Sequence, residues 1–345
     1  MAESANDLLL PHLDGAEAPD EVLELWTTLS ERLKRSQALL QQIAAKLEEQ
    51  ADSAGLDLRV EDSPRARQAG PQVEQRAPEL RLCLLGQFTV RLGKRTIPHR
   101  WGGKGVAMLK YLAGAPRHRV HRDALLEVVW PGVDPRVANN RLKVVAHHLR
   151  QICTPDPAQP DGPSPLQYRD GWYMLGGAVP VWTDVEAFEG AWRAGLHAER
   201  TGRRDEAIAA FAQMERLYRG DYLEEDPYEE WTLLRREELK DLYLAALEKL
   251  AAYREEAGEL ELASETWSKI LAKDPYREDV YRWLMLCSAR RGNRGRAHYW
   301  YQLCARLLRE HLQVEPEPET TELHVRILQG RALGVSWTGS RKGFG

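Results

Sequence analysis

The sequence predicts a mainly α fold in two folded parts, and three patterns carry that prediction. Between residues 80 and 182, alternating apolar stretches, three helical patterns and a hairpin signal follow one another. That is the order of a winged helix-turn-helix: small β-sheet, three helices, β-hairpin wing. Beyond Asp184 the pattern is helical throughout, and a glycine, an alanine and an aromatic recur three times at one spacing, the mark of an all-α tetratricopeptide-like helical array. Ahead of both parts, apolar residues seven apart indicate an N-terminal helix.

Residues 1–51 are read as the N-terminal helical region. Trp26, Leu33, Leu40 and Leu47 occupy heptad a positions with Leu29 and Ile43 at d, a seam interrupted by Ser36 and Gln50. Such a seam either forms a short coiled coil, and with it a homodimer, or packs on the chain's own core. Residues 52–79, rich in Ser, Gly, Pro, Arg and Glu without periodicity, read as a flexible linker.

Residues 80–182 are the winged helix-turn-helix. Leu82, Leu84, Phe88, Val90 and Leu92 alternate with other residues around Gly86, and Gly93 with Lys94 marks a turn, so the stretch predicts a small antiparallel meander. GKGVAMLKYLA and HRDALLEVVW are the next two helices, the second stopped by Pro131 and Gly132. Asp134 as N-cap and Pro135 at the first helical position start the third, which runs to Ile152. A Pro-rich connector, TPDPAQPDGPSP, leads to LQYRDGWYML, where two apolar runs around Arg169, Asp170 and Gly171 signal a hairpin.

Residues 183–330 are the helical array. Gly202, Ala207 and Phe211 share their spacing with Gly258, Ala263 and Trp267 and with Gly292, Ala297 and Tyr301. The last two copies lie 34 residues apart, the tetratricopeptide period, and the insertion before Glu230 lengthens the first gap. Residues 331–345 read as a disordered tail.

Composition narrows the function. The chain has 345 residues, 43% hydrophobic and 29% charged, enough for two cores and without the run of about 20 apolar residues a membrane span needs. MAESANDLLLPHL lacks the basic start of a signal peptide, so a cytoplasmic protein with no membrane partner is expected. Cys83, Cys153, Cys287 and Cys304 are scattered, which favours neither a zinc site nor a disulfide framework. Net charge is -4, yet residues 80–182 hold 15 Lys and Arg against 6 Asp and Glu, so one part of the chain is suited to an anionic partner.

On a helical wheel Ala138, Leu142, Val145, Ala146, Leu149 and Ile152 form one side of the third helix. Opposite them stand Arg136, Asn140, Lys143, Val144, His147 and Gln151, with His148 and Arg150 at the margins. This set suits the major groove of double-stranded DNA: Arg and Lys reach guanine acceptors or phosphates, Asn pairs with adenine, and Val touches a thymine methyl. The Asp-Pro start is expected to leave the helix N-terminus open to phosphate. Arg169 at the hairpin tip and Lys104 at the start of the first helix are the candidate backbone contacts. His147 and His148 are adjacent and point about 100° apart, which excludes chelation of one metal. In WGGKG, Lys104 is followed by Gly105 where a Walker A loop requires Ser or Thr. No catalytic motif or cofactor motif is found, so the chain is read as a non-enzyme.

The residues LCLLGQFTVRLGKRTIP, VHRDALLEVVWPGVDPRVANNRLKVVAHHLR, DGWYML and VWTDVEAFE, with YRGDYLEEDPYEEW, YRED and VEPEPET beyond them, resemble the SARP-type bacterial transcriptional activators. That resemblance covers about Leu80 to Gly330. It implies an OmpR-like winged helix joined to a bacterial transcriptional activator domain, binding of promoter DNA, and recruitment of RNA polymerase. The loop Trp130, Pro131, Gly132, Val133 and Asp134 would correspond to the polymerase-facing segment. Two departures are His121, where the family has a Ser or Thr cap, and VVAHH, where it has an aromatic followed by Val-Ser.

Two function classes follow: a sequence-specific transcription regulator, or a protein-binding scaffold in which the winged helix contacts protein. Within the array, Arg290, Arg291, Arg294 and Arg296 alternate with Tyr299 and Trp300, a mix that can hold a nucleotide second messenger or other phosphorylated effector.

Overall fold

Alternation in the first apolar stretch becomes a sheet with one buried face. Strand β1 (Leu80–Cys83) pairs antiparallel with β2 (Thr89–Leu92), which pairs with β3 (Arg95–Ile97), and Leu80, Leu82, Val90, Leu92 and Ile97 are all buried. The computed structural model describes residues 78–98, 102–154 and 163–331. The N-terminal helical region, all but the last two residues of the linker, Trp101, most of the Pro-rich connector and all but the first residue of the tail lie outside them.

Helix α1 (Gly103–Gly114), strand β4 (Arg119–His121), helix α2 (Arg122–Val129) and helix α3 (Pro135–Ile152) follow, then the hairpin of β5 (Leu166–Arg169) and β6 (Trp172–Leu175). Two strands were missed in the sequence. The three residues of β4 join β6 to make a sheet of order β4-β6-β5, and β7 (Val181–Thr183) lies parallel to β1, completing the order β3-β2-β1-β7. Each is three residues long, too short for period-two alternation to show. At the second helix the departure from the family cap is resolved: the His121 imidazole itself accepts the Asp123 N–H at 3.4 Å.

The strand β7 runs straight into α4 (Asp184–Arg200), the first helix of the array. Then come α5 (Arg204–Leu217), α6 (Glu230–Glu256), α7 (Leu260–Lys273), α8 (Glu278–Arg290), α9 (Arg294–Leu307) and α10 (Pro318–Leu328). The threefold motif has one physical cause. Gly202, Gly258 and Gly292 end helices at φ of 71°, 78° and 77°, and the next residue's N–H bonds back to Ala198, Arg254 and Ser288 respectively. Ala207, Ala263 and Ala297 are fully buried, letting helices approach, and Phe211 and Trp267 fill the space beside the first two.

The two lobes share one continuous core, from Leu80 and Phe88 through Phe188 to Leu247 and Trp267. Their joint is built from buried polar groups that all find partners. The Asp184 carboxylate accepts the N–H groups of Leu84 at 2.7 Å and Leu85 at 3.0 Å. Lys110, almost wholly buried, reaches Asp226 at 2.6 Å. The insertion that breaks the repeat spacing straps the array to the first sheet: Leu223 donates to the Leu84 carbonyl at 2.8 Å, and Gly86 donates to that of Asp221 at 3.1 Å.

Candidate nucleic-acid interface

The apolar stripe of α3 buries Ala138, Leu142, Ala146 and Leu149, with Val145 and Ile152 packed at its edges. Both ends of the helix are fixed. At the start the Asp134 carboxylate accepts from Arg136 N at 2.9 Å and Val137 N at 3.2 Å. This corrects the expectation of an N-terminus open to phosphate, because a carboxylate of the same chain already fills it. At the end the Arg95 guanidinium, from β3, donates to the carbonyls of Ile152 at 2.8 Å and Thr154 at 2.9 Å, satisfying groups the helix leaves unpaired.

Opposite the stripe, Arg136, Asn140, Lys143, Val144, His147 and His148 are exposed, Val144 to 58%. The side chains of Arg136, Asn140 and Lys143 have no hydrogen-bond or ion-pair partner among the described residues. These side chains face solvent and are open to a ligand. The two histidine rings are 6.3 Å apart, centre to centre. Arg150 departs from the expected face. It is half-buried, and its Nε donates to the Leu166 carbonyl at 3.1 Å, tying α3 to the wing. The wing covers that side of the wheel, so the open arc shifts toward Val137, Arg141 and His148. Val137 and Arg141 are exposed residues the sequence reading passed over, although their wheel positions beside His148 were available.

In the wing, Asp170 and Gly171 take φ of 50° and 84°, the two left-handed residues of a tight hairpin, and they lift Arg169 into solvent. Arg119 lies over the Trp172 ring at 4.2 Å, stiffening the strand behind it. Lys104 is exposed in the first turn of α1. In the loop Trp130–Asp134, Trp130 is buried and Val133 packs against the core, so neither offers a contact; Pro131 and Gly132 form the exposed tip, with Gly132 at φ 72°.

The arginine-rich turn of the array does not converge on an open site. Arg291 pairs with Glu261 at 2.7 Å, Arg290 with Glu255 at 3.6 Å, and Arg296 itself covers the Tyr299 and Trp300 rings at 4.6 Å. Arg294 packs against Gly330. Of the groups expected to grip a nucleotide, Arg290 and Arg291 are engaged by glutamates and Arg296 by the two rings. The thiols of Cys153, Cys287 and Cys304 are pushed up to about 12 by burial and are protonated at neutral pH. Among the described residues no helix is long and apolar enough to cross a membrane.

Residues 183–328 match the family model of the bacterial transcriptional activator domain. No curated protein matches the chain. Among solved structures, Mycobacterium tuberculosis EmbR in complex with a low affinity phosphopeptide is similar with a TM-score of 0.59 at 21% identity, over 74% of this chain and 67% of that one. That likeness speaks to the fold, a winged helix joined to a tetratricopeptide-like helical domain. The TPR2B domain of yeast Sti1, in a complex with pHsp70, matches at a TM-score of 0.29 and 15% identity over 42% of this chain and 99% of that one, too distant to argue from.

Proposed function

We propose that this chain, a SARP-type protein whose residues 183–328 are a bacterial transcriptional activator domain, is a sequence-specific DNA-binding regulator that activates transcription. The observation that carries the proposal is the outer face of α3, where Arg136, Asn140, Lys143, Val144 and His147 stand exposed on a helix fixed at both ends. Laid in a major groove, Arg136 and Lys143 reach guanine or phosphate, Asn140 reaches adenine, and Val144 reaches a thymine methyl. Arg169 and Lys104 meet the flanking phosphates and hold the helix in register. The exposed tip Pro131–Gly132 is the surface offered to RNA polymerase, and the array receives an effector or partner or joins two copies into a dimer. The protein acts in the cytoplasm, where promoter DNA is.

Binding to DNA from upstream of its own and neighbouring genes tests this. Wild type is expected to protect a discrete site, and Lys143→Ala is expected to weaken binding to every sequence or to relax preference at one base pair. Absence of binding at low salt would favour the winged helix as a protein contact instead.

A further inference from the structure

A cleft of about 590 Å³ opens where the winged helix meets the array, a size suited to one small molecule. One wall is Tyr111 with the turn from Gly114 to His118, and the other is formed by α4 and the start of α6. Tyr111 and Trp231 touch edge to face at 5.0 Å in its lining, presenting aromatic surface from both lobes.

The arginines in the cleft divide into paired and unpaired. Arg235 is held by Glu189 at 2.5 Å and by Glu238 at 3.1 Å, which neutralises it. Glu186 faces His118 Nε2 at 3.3 Å, while His118 Nδ1 bonds the Ala113 carbonyl at 3.0 Å. Arg117 and Arg193 remain, one from each lobe, both exposed and without a partner among the described residues. Arg117 and His118 sit consecutively at φ of 55° and 52°, a backbone conformation that side chains other than glycine rarely adopt. The turn thereby buries His118 and leaves Arg117 on the lip.

We propose that this cleft binds a small organic anion with a flat apolar body, its carboxylate or phosphate held between Arg117 and Arg193 and its body against Tyr111 and Trp231. Guanidinium forks suit either anionic group, and the aromatic edges suit a ring. Because the walls belong to different lobes, such a ligand stabilises this arrangement of the two. If the chain acts as the DNA-binding regulator proposed above, ligand and promoter are then coupled through the orientation of the winged helix, reciprocally.

The test uses the full chain without DNA, so its failure leaves the DNA reading standing and the reverse. Phenyl phosphate and benzoate are titrated by calorimetry, with inorganic phosphate and benzyl alcohol as the charge and the ring alone. At least one aromatic anion is expected to bind saturably and more tightly than either half-probe. Arg193→Ala and Arg117→Gly are each expected to weaken it about tenfold, the equivalent of one charge-assisted hydrogen bond. Arg117→Gly also relieves the left-handed backbone and is expected to keep or raise the melting temperature, which separates lost binding from lost folding. Arg216→Ala, exposed elsewhere on α5, is expected to change nothing. No saturable binding of either aromatic anion, equal binding of inorganic phosphate, or binding left within about twofold by both cleft variants would overturn the proposal.

Discussion

Replacing Asp184 with alanine tests the joint between the lobes. Its carboxylate is almost wholly buried and accepts two main-chain N–H groups from a strand end a hundred residues earlier. Hydrogen bonds to a charged acceptor contribute about 1.5–3 kcal/mol each, so the pair is worth about 3–6 kcal/mol before desolvation. Burial raises the Asp184 carboxyl above its ordinary value by more than the main-chain bonds lower it, so desolvation offsets the gain of those bonds and the loss on truncation comes from the donors left behind. A net loss of about 3 kcal/mol is expected on Asp184→Ala, with the Leu84 and Leu85 N–H groups left buried and unpaired. At about 2–4 °C per kcal/mol for a chain of this size, the melting temperature falls by about 6–12 °C. Asp184→Asn keeps one acceptor oxygen and is expected to lose less. Circular dichroism and tryptophan fluorescence should report one shared transition, because the core is continuous across both lobes. Variants melting within about 1 °C of wild type, or two separated transitions in the wild type, would refute the reasoning.

Other perturbations are equally specific. Gly258→Ala places a methyl in open space at φ 78°, so its cost of about 1 kcal/mol is purely conformational; Gly114→Ala runs into the hydroxyl of the buried Tyr222 and should cost more, as thermal melts will show. His324 lies against His298 Nδ1 at 2.8 Å and stacks on Tyr301. Burial, and then His298, lower its pKa, so the stability it contributes is full above the ordinary histidine value and is lost as pH falls through the folded one. Melting temperature should therefore drop between about pH 7.5 and 5 more steeply in wild type than in His324→Gln. Arg95→Ala releases the last turn of α3 and should lower both the melting temperature and DNA affinity, measured by fluorescence anisotropy, with any loss of affinity at unchanged base preference.

Much of the architecture was readable in the residues because its causes are local. Asp134 before Pro135 announces a helix start, Asp170-Gly171 a tight hairpin, and the three glycine turns a repeated helix pair. What the sequence concealed depends on distant partners. β7 is a strand only because β1 lies beside it, and the insertion after α5 is ordered because Leu84 and Gly86 receive it. The same limit governs the site. A wheel separates buried from exposed, which held for Arg136, Asn140, Lys143 and His147, but it carries no information on the wing that engages Arg150. Nor does it show that Trp130 fills the core, or that the array arginines are matched by Glu255 and Glu261. The cleft between the lobes left no sequence signature, since its walls come from segments some 70 to 120 residues apart.

The most direct test of α3 and the wing as a DNA-reading surface is the salt dependence of binding to a footprinted promoter fragment, in wild type and in Lys143→Ala combined with Arg169→Ala. Each phosphate contact contributes about 0.9 to the slope of log K against log salt. A steep negative slope is predicted for wild type, shallower by up to about 2 in the double variant, with the melting temperature unchanged. A wild-type protein that fails to bind at low salt, or a double variant with the same slope and affinity, would contradict the account.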